Sequence, residues 1–250
     1  MPLAGCYVIS LRPVGAHAAL RRAAAAQGAR VLALSPWRIE TQDDAESRRG
    51  LRAALGADIV IATSPAAVRA ATTLQMLKRK RGQRWCAVGA GTAAALRRAG
   101  IDEVVSPSRM DSEGLLALAE LQSLRGRSVA LLTAPGGRGV IAPMLRKRGA
   151  KLLRADVYRR VGIAPSPLAL ARLHALRSRP WIAASSGEAL ALVLSRLPAE
   201  LAEKLRDADV AAASERLAQA ARDAGFRGRV VTAASARPRD LVAAMAGAIG

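Results

Sequence analysis

The chain has 250 residues, 51% of them hydrophobic and 2% aromatic, and its 39 Lys and Arg against 19 Asp and Glu give a formal charge of +20. The apolar share excludes an intrinsically disordered chain, and the length suits two domains of ordinary size better than one large one. The basic excess invites a nucleic-acid reading, yet only five of the cations are lysines (Lys78, Lys80, Lys147, Lys151, Lys204), alanine exceeds a fifth of the chain, and almost no aromatic surface exists for stacking bases.

A GC-rich codon bias accounts for much of that charge, and no nucleic-acid partner is expected. From Met1 to Cys6 no basic segment precedes an apolar one, and no apolar stretch reaches membrane-spanning length. A cytoplasmic protein without membrane contact follows. Along the chain, short β-type runs alternate with Ala/Leu-rich amphipathic segments, the pattern of parallel sheets covered by helices. Strands are predicted at residues 6–10, 30–34, 58–62, 85–88, 128–133, 151–157, 181–184, 209–212 and 229–232. The first helix is predicted over residues 14–27, stopped by Gly28. Cys6 and Cys86 fall within apolar strand-like runs and read as buried free thiols. Two stretches, 35–42 and 156–167, break the alternation and read as linkers.

An internal repeat sets the architecture. Residues 57–69 align with 179–191, and residues 84–101 with 208–226, whereas residues 126–152 align with 5–31. The order is therefore rotated, as it would be if one α/β domain were inserted into another of the same kind with the inner copy permuted. This predicts two similar open parallel-sheet α/β domains: an outer one from 1–35 plus 165–250 and an inserted one from 43–155. The crossings at 36–42 and 156–164 would pair as a two-stranded β-ladder.

In open parallel sheets ligands collect beyond the carboxyl ends of the strands, where helix N-termini present unpaired N–H groups. The predicted strand-to-helix junctions are Thr63-Ser64-Pro65, Gly89-Ala90-Gly91-Thr92, Ala134-Pro135-Gly136-Gly137-Arg138, Ser185-Ser186-Gly187 and Ser214-Glu215-Arg216. Each carries a hydroxyl or a glycine. Any one of them is explained by helix capping; as a set they suit an anionic ligand with many carboxylates or phosphates. Arg12, Arg69, Arg138, Arg159 and Arg216 lie at or near the junctions or in a linker, and a guanidinium fork matches a carboxylate. Gly89-Ala90-Gly91-Thr92 lacks the third glycine of a dinucleotide fingerprint, and Gly136-Gly137-Arg138-Gly139 lacks the lysine of a phosphate loop.

Conventional catalytic groups are scarce. His17 and His174 are the only histidines, both in helical patterns away from the junctions, and no His/Cys/Asp/Glu spacing suits a metal, so no metal and no cofactor are expected. Chemistry here would depend on positioning more than on a tuned base. Tyr158, in the second linker, is the candidate proton or hydrogen-bond donor, set against the reading of an aromatic packed on a domain.

Read in order, Arg12-Pro13, Thr63-Ser64-Pro65-Ala66-Ala67-Val68, Ala87-Val88-Gly89-Ala90-Gly91-Thr92-Ala93 and Asp111-Ser112-Glu113-Gly114-Leu115-Leu116 resemble uroporphyrinogen-III synthase. The resemblance continues through Gly136-Gly137-Arg138, Arg148-Gly149-Ala150, Val157-Tyr158-Arg159-Arg160, Ser186-Gly187-Glu188-Ala189-Leu190 and Ser214-Glu215-Arg216, covering nearly the whole chain. It implies two α/β domains with the active site in the cleft between them. The implied substrate is hydroxymethylbilane, a linear tetrapyrrole bearing eight carboxylates. The ring A hydroxyl leaves as water to give an azafulvene, ring D is attacked at its substituted carbon, and a spiro intermediate fragments and recloses with ring D inverted. By this resemblance Tyr158 assists departure of the hydroxyl, and Thr63, Ser64, Thr92, Ser185, Ser186 and Ser214 bind the substrate's carboxylates; the junction reading adds Arg12, Gly91, Gly137, Arg138, Gly187 and Arg216 to that substrate-binding set. A monomer is implied, with a transient hand-over from hydroxymethylbilane synthase. Leu11 stands where relatives usually carry a threonine, so a hydroxyl contact does not carry over there, and Gly139 stands where they commonly carry an acid after the glycine pair and Arg138. Two rivals remain: a non-enzymatic basic module for nucleic acid or other polyanions, which would show steep salt dependence, and a two-domain protein that closes on a small anion without chemistry.

Overall fold

The structure, a computed structural model, describes residues 1–136 and 139–249. Its strands are β1 (Tyr7–Ser10), β2 (Arg30–Ala33), β3 (Trp37–Thr41), β4 (Ile59–Ala62), β5 (Arg84–Ala87), β6 (Val104–Val105), β7 (Ser128–Thr133), β8 (Lys151–Asp156), β9 (Tyr158–Gly162), β10 (Trp181–Ala184), β11 (Asp209–Ala212) and β12 (Val230–Thr232). The helices are α1 (Ala18–Ala25), α2 (Ala45–Ala54), α3 (Pro65–Leu74), α4 (Ala90–Arg98), α5 (Ser112–Leu116), α6 (Ile141–Lys147), α7 (Pro167–Ala175), α8 (Gly187–Leu194), α9 (Ala199–Arg206), α10 (Glu215–Asp223) and α11 (Pro238–Gly247). Among the described residues no helix is long and apolar enough to cross a membrane.

The chain divides into two units: unit one is Met1–Arg38 together with the chain from Val161 onward, and unit two is Ile39–Arg160. Each is built on one parallel sheet, β12-β11-β10-β1-β2 in unit one and β6-β5-β4-β7-β8 in unit two. The central strands are Trp-Ile-Ala-Ala and Ile-Val-Ile-Ala, buried along their whole length, as strands covered on both faces must be. In register, Ile9 lies between Leu32 and Ile182, and Ile61 between Cys86 and Leu131. The two strand orders coincide when β10 is set on β4, β11 on β5 and β1 on β7, which is the rotation of the sequence repeat. The expected two-stranded ladder is β3 with β9, where the chain passes from one unit to the other.

Local chemistry starts the helices where the strands end. Ser64 and Ser166 accept the Ala67 and Ala169 N–H groups and are each followed by proline at the first helical position; Ser186 accepts from Ala189, Asp44 from Ser47 and Asp111 from Gly114. The first helix corrects the expectation of residues 14–27. It begins only at Ala18, because Gly15 at φ 78° holds a turn that an α-helix cannot contain.

Candidate active site

In unit two, β4 ends on Thr63 and Ser64. The Thr63 N–H and hydroxyl both reach the Leu132 carbonyl at 3.1 Å, and its Oγ1 lies 3.1 Å from Thr133 Oγ1 on the adjacent strand β7. Ser64 Oγ accepts the Ala67 N–H at 3.1 Å and lies 3.2 Å from the Tyr158 hydroxyl. Tyr158 arrives there because Val157, its N–H bound to the Thr133 carbonyl at 3.0 Å, holds the end of β8 against β7 just before β9 begins. The tyrosine is 4% exposed and belongs to the same apolar cluster as Ala62, Ala67, Val68 and Val157. Its ring is thus a core residue while its hydroxyl meets polar company. Sequence reading set a donor role against packing on a domain; the structure shows the packing, with the hydroxyl beside Ser64 Oγ.

Thr63, Ser64 and Tyr158 open onto a cavity of about 210 Å³, lined also by Ser112, Thr133, Arg154 and Arg160. Its lining also includes the apolar Val88, Leu131 and Ile141. Its volume is less than the roughly 300–1,000 Å³ of a typical small-molecule pocket. When Ser64 donates its proton to the Tyr158 oxygen, the phenol's own proton is available to an acceptor in the cavity. Arg154 is held by the Asp156 carboxylate at 3.0 Å and the Ala134 carbonyl at 2.9 Å.

Arg154 was not among the predicted site residues, though it lines this cavity, and Arg160 entered only as part of a motif. The signal was the two-residue period of a strand. Tyr158 and Arg160 share one face of β9 and line the cavity, whereas Arg159 between them pairs with Glu40 at 2.9 Å. At the neighbouring junction Gly89 is the residue just before α4; Thr92 is buried and Gly91 exposed, and neither lines the cavity. Arg69 is exposed on α3. Gly137 and Arg138 lie outside the described residues. Cys86 is a free thiol buried in β5, with burial pushing its pKa up to about 12, which removes it as a nucleophile.

In unit one the sheet order sets the ends of β1, β10 and β11 side by side, so Arg12, Ser185, Ser186, Gly187, Ser214 and Arg216 share one edge. Ser186 caps α8 through the Ala189 N–H at 3.3 Å, and Gly187 is the first residue of that helix. Ser185, Ser214 and Arg216 are exposed, and Ser214 stands at the start of α10 without a side-chain capping bond. Arg12 reaches the Ala236 carbonyl at 3.1 Å, and burial lowers its guanidinium pKa.

One expectation is overturned here. His17 is not remote from the junctions: it lies at the start of α1, directly after the β1 turn, 6% exposed, with Nδ1 2.8 Å from Ser10 Oγ and Nε2 2.9 Å from Ser35 Oγ. The helical pattern placed it mid-helix, and the Gly15 turn moved it to the edge of the sheet. His174, by contrast, is exposed on α7.

A family model described as uroporphyrinogen-III synthase HemD matches residues 18–243. The uroporphyrinogen-III synthase of Escherichia coli K12 is 34% identical over 181 residues, covering 70% of this chain and 74% of that protein. That of Salmonella typhimurium LT2 is 32% identical over 146 residues, covering 58% and 59%. Among solved structures, a mutant uroporphyrinogen III synthase of Thermus thermophilus superposes with a TM-score of 0.61 at 21% identity, covering 97% of each chain. The synthetase of Helicobacter pylori 26695 superposes with a TM-score of 0.62 at 12% identity, covering 98% of this chain and all of that one. At those identities the structures support the α/β fold.

Proposed function

Since the chain belongs to the uroporphyrinogen-III synthase family, we propose that its reaction is promoted by Tyr158. The enzyme cyclises hydroxymethylbilane with inversion of ring D and loss of water, a step of tetrapyrrole biosynthesis. The observation that carries the role of Tyr158 is its hydroxyl, 3.2 Å from Ser64 Oγ at the wall of a hydroxyl-lined cavity. The phenol gives its proton to the ring A hydroxyl, which leaves as water, and the proton lost from ring D on reclosure restores it. Such proton donation is worth roughly 10²–10⁴-fold.

The larger task is positioning, because the unassisted tetrapyrrole closes to the symmetrical type I isomer and the enzyme must hold the chain so that ring D inverts. Thr63, Ser64, Thr92, Ser185, Ser186 and Ser214, with their helix-start amides, take up acetate and propionate groups. Gly91, Gly137 and Gly187 let backbone amides approach, and Arg12, Arg138 and Arg216 supply charge. Arg154 and Arg160, at the cavity that Tyr158 lines, receive an acidic arm near the reacting ring. The protein acts in the cytoplasm as a monomer and accepts its substrate from solution or by transient hand-over from hydroxymethylbilane synthase.

The test is an isomer assay. Hydroxymethylbilane is generated enzymatically, incubated with the purified protein, and the oxidised products are separated. Type III porphyrin well above the protein-free control is expected; type I alone, at the control level, overturns the reading.

A further inference from the structure

His17 has no part in the proton transfer assigned to Tyr158, yet its ring is among the few polar side chains buried among the described residues. It joins two places in the chain: Ser10 ends β1, and Ser35 lies in the segment from β2 to β3. A neutral imidazole carries one donor and one acceptor, and serine hydroxyls rotate to complement either tautomer, so both nitrogens are satisfied. Burial, and then the charges of Arg21 and Arg12, hold its pKa below the ordinary 6.5, so the ring is neutral at pH 7.

Between Ser10 and His17 runs the turn that carries Arg12. This guanidinium is half-buried, donates to the Ala236 carbonyl, and has no carboxylate partner among the described residues. A cation partly withdrawn from water without a counter-ion is costly to keep, and its fork is suited to a carboxylate from outside. A neutral ring at its side adds no second positive charge.

We propose that His17 is the positioning residue of a carboxylate-binding site whose binding group is Arg12: by bridging Ser10 and Ser35, the imidazole fixes the β1–α1 turn and aims the guanidinium at the ligand. This rests on reading Arg12 as a contact of the substrate's acidic side chains. The structural alternative, a histidine that only fills the core, would act independently of Arg12.

A double-mutant cycle separates the two, with KM and kcat for type III formation measured on wild type, Arg12→Ala, His17→Ala, Ser35→Ala and the doubles. Arg12→Ala is expected to raise KM about tenfold at unchanged kcat, His17→Ala about fivefold, and the double mutant no further than Arg12→Ala alone. Ser35→Ala keeps the ring packed and removes one of its anchors, so it carries the same test if His17→Ala fails to fold. An unchanged KM in Arg12→Ala overturns the assignment of Arg12. A raised KM in Arg12→Ala, with the His17 or Ser35 substitution either without effect or multiplying it in full, overturns the role of His17.

Discussion

The turn after β4 in unit two and the turn after β10 in unit one occupy corresponding places in the repeat, each with two hydroxyl residues and a serine that caps the following helix. Ser64 does more than cap: its Oγ also meets the Tyr158 hydroxyl and lines a cavity. Ser186 caps α8 and Ser185 is exposed. The buried polar hubs differ as well. In unit two Gln83 donates to the Leu55 and Ala57 carbonyls and accepts from Lys80 N–H and Trp85 Nε1–H, a fully satisfied group that does not ionise. In unit one the hub is His17, which does. Under the proposed roles, unit two supplies the proton donor as well as some acid contacts, and unit one supplies acid contacts only. Substitutions in the first should alter kcat and those in the second KM.

The largest expected effect is that of Tyr158→Phe, which removes the hydroxyl and little volume. Type III turnover at saturating substrate should fall about 10³-fold, roughly 4 kcal/mol of barrier, with unfolding unchanged within about 1 kcal/mol. Full turnover at saturation would reduce Tyr158 to a packing residue and erase the contrast between the units. Next comes Gln83→Leu, which keeps the volume but leaves the Trp85 N–H and two carbonyls without their partner. With the Lys80 N–H, which loses the same acceptor, the change should cost unit two about 3 kcal/mol or more in urea unfolding, since each buried unsatisfied group costs about 1–3 kcal/mol. A loss below about 1 kcal/mol would mean that water reaches these groups.

Much of this was legible in the sequence because burial writes a simple signal. The strands β4, β7, β10 and β11 are covered on both faces and read as short apolar runs, and the rotated repeat anticipates the matching strand orders. Other parts resisted for physical reasons. β6 is a two-residue edge strand, too short to carry a period. β9 pairs with one strand only, so Tyr-Arg-Arg-Val-Gly shows no apolar run. The partners of Tyr158 are set by the tertiary fold: Ser64 is 94 positions away. His17 was misplaced because a helical period extends smoothly across Gly15, and the left-handed turn that interrupts it leaves no mark on that period.

The contrast in hubs predicts a pH response confined to unit one. Both histidines belong to unit one, and His17 is held below 6.5 by burial, Arg21 and Arg12. Above pH 6.5 the ring is neutral folded or unfolded and contributes no pH dependence. As pH falls below 6.5 the unfolded chain takes up the proton first, so the stability of unit one declines, and the decline ends once pH passes below the folded pKa. Urea unfolding at pH 7.5 and 5.5, read by pulsed hydrogen exchange on peptides of each unit, should show a drop in unit one that is smaller in His17→Gln. Unit two, whose lowered carboxylates Asp44 and Asp58 titrate below 3.8, should not follow over that range. An equal drop in both units would remove His17 as its cause.

The smallest effect is the sharpest on binding. Ser186→Ala should cost about 1 kcal/mol of stability through its lost cap, which obscures any change in KM. Ser214→Ala removes a hydroxyl that caps nothing and is exposed, so stability should shift by less than about 0.5 kcal/mol. A change in its KM is then free of folding effects and reports the hydroxyl's contact with substrate directly. A roughly threefold rise at constant kcat is expected, about 0.7 kcal/mol and in the range of one hydrogen bond at an exposed site. If KM stays at the wild-type value while Ser64→Ala lowers kcat, substrate contacts on the edge of unit one fall to the backbone amides of α10 and to Arg12, and the hydroxyls there are helix-start residues only.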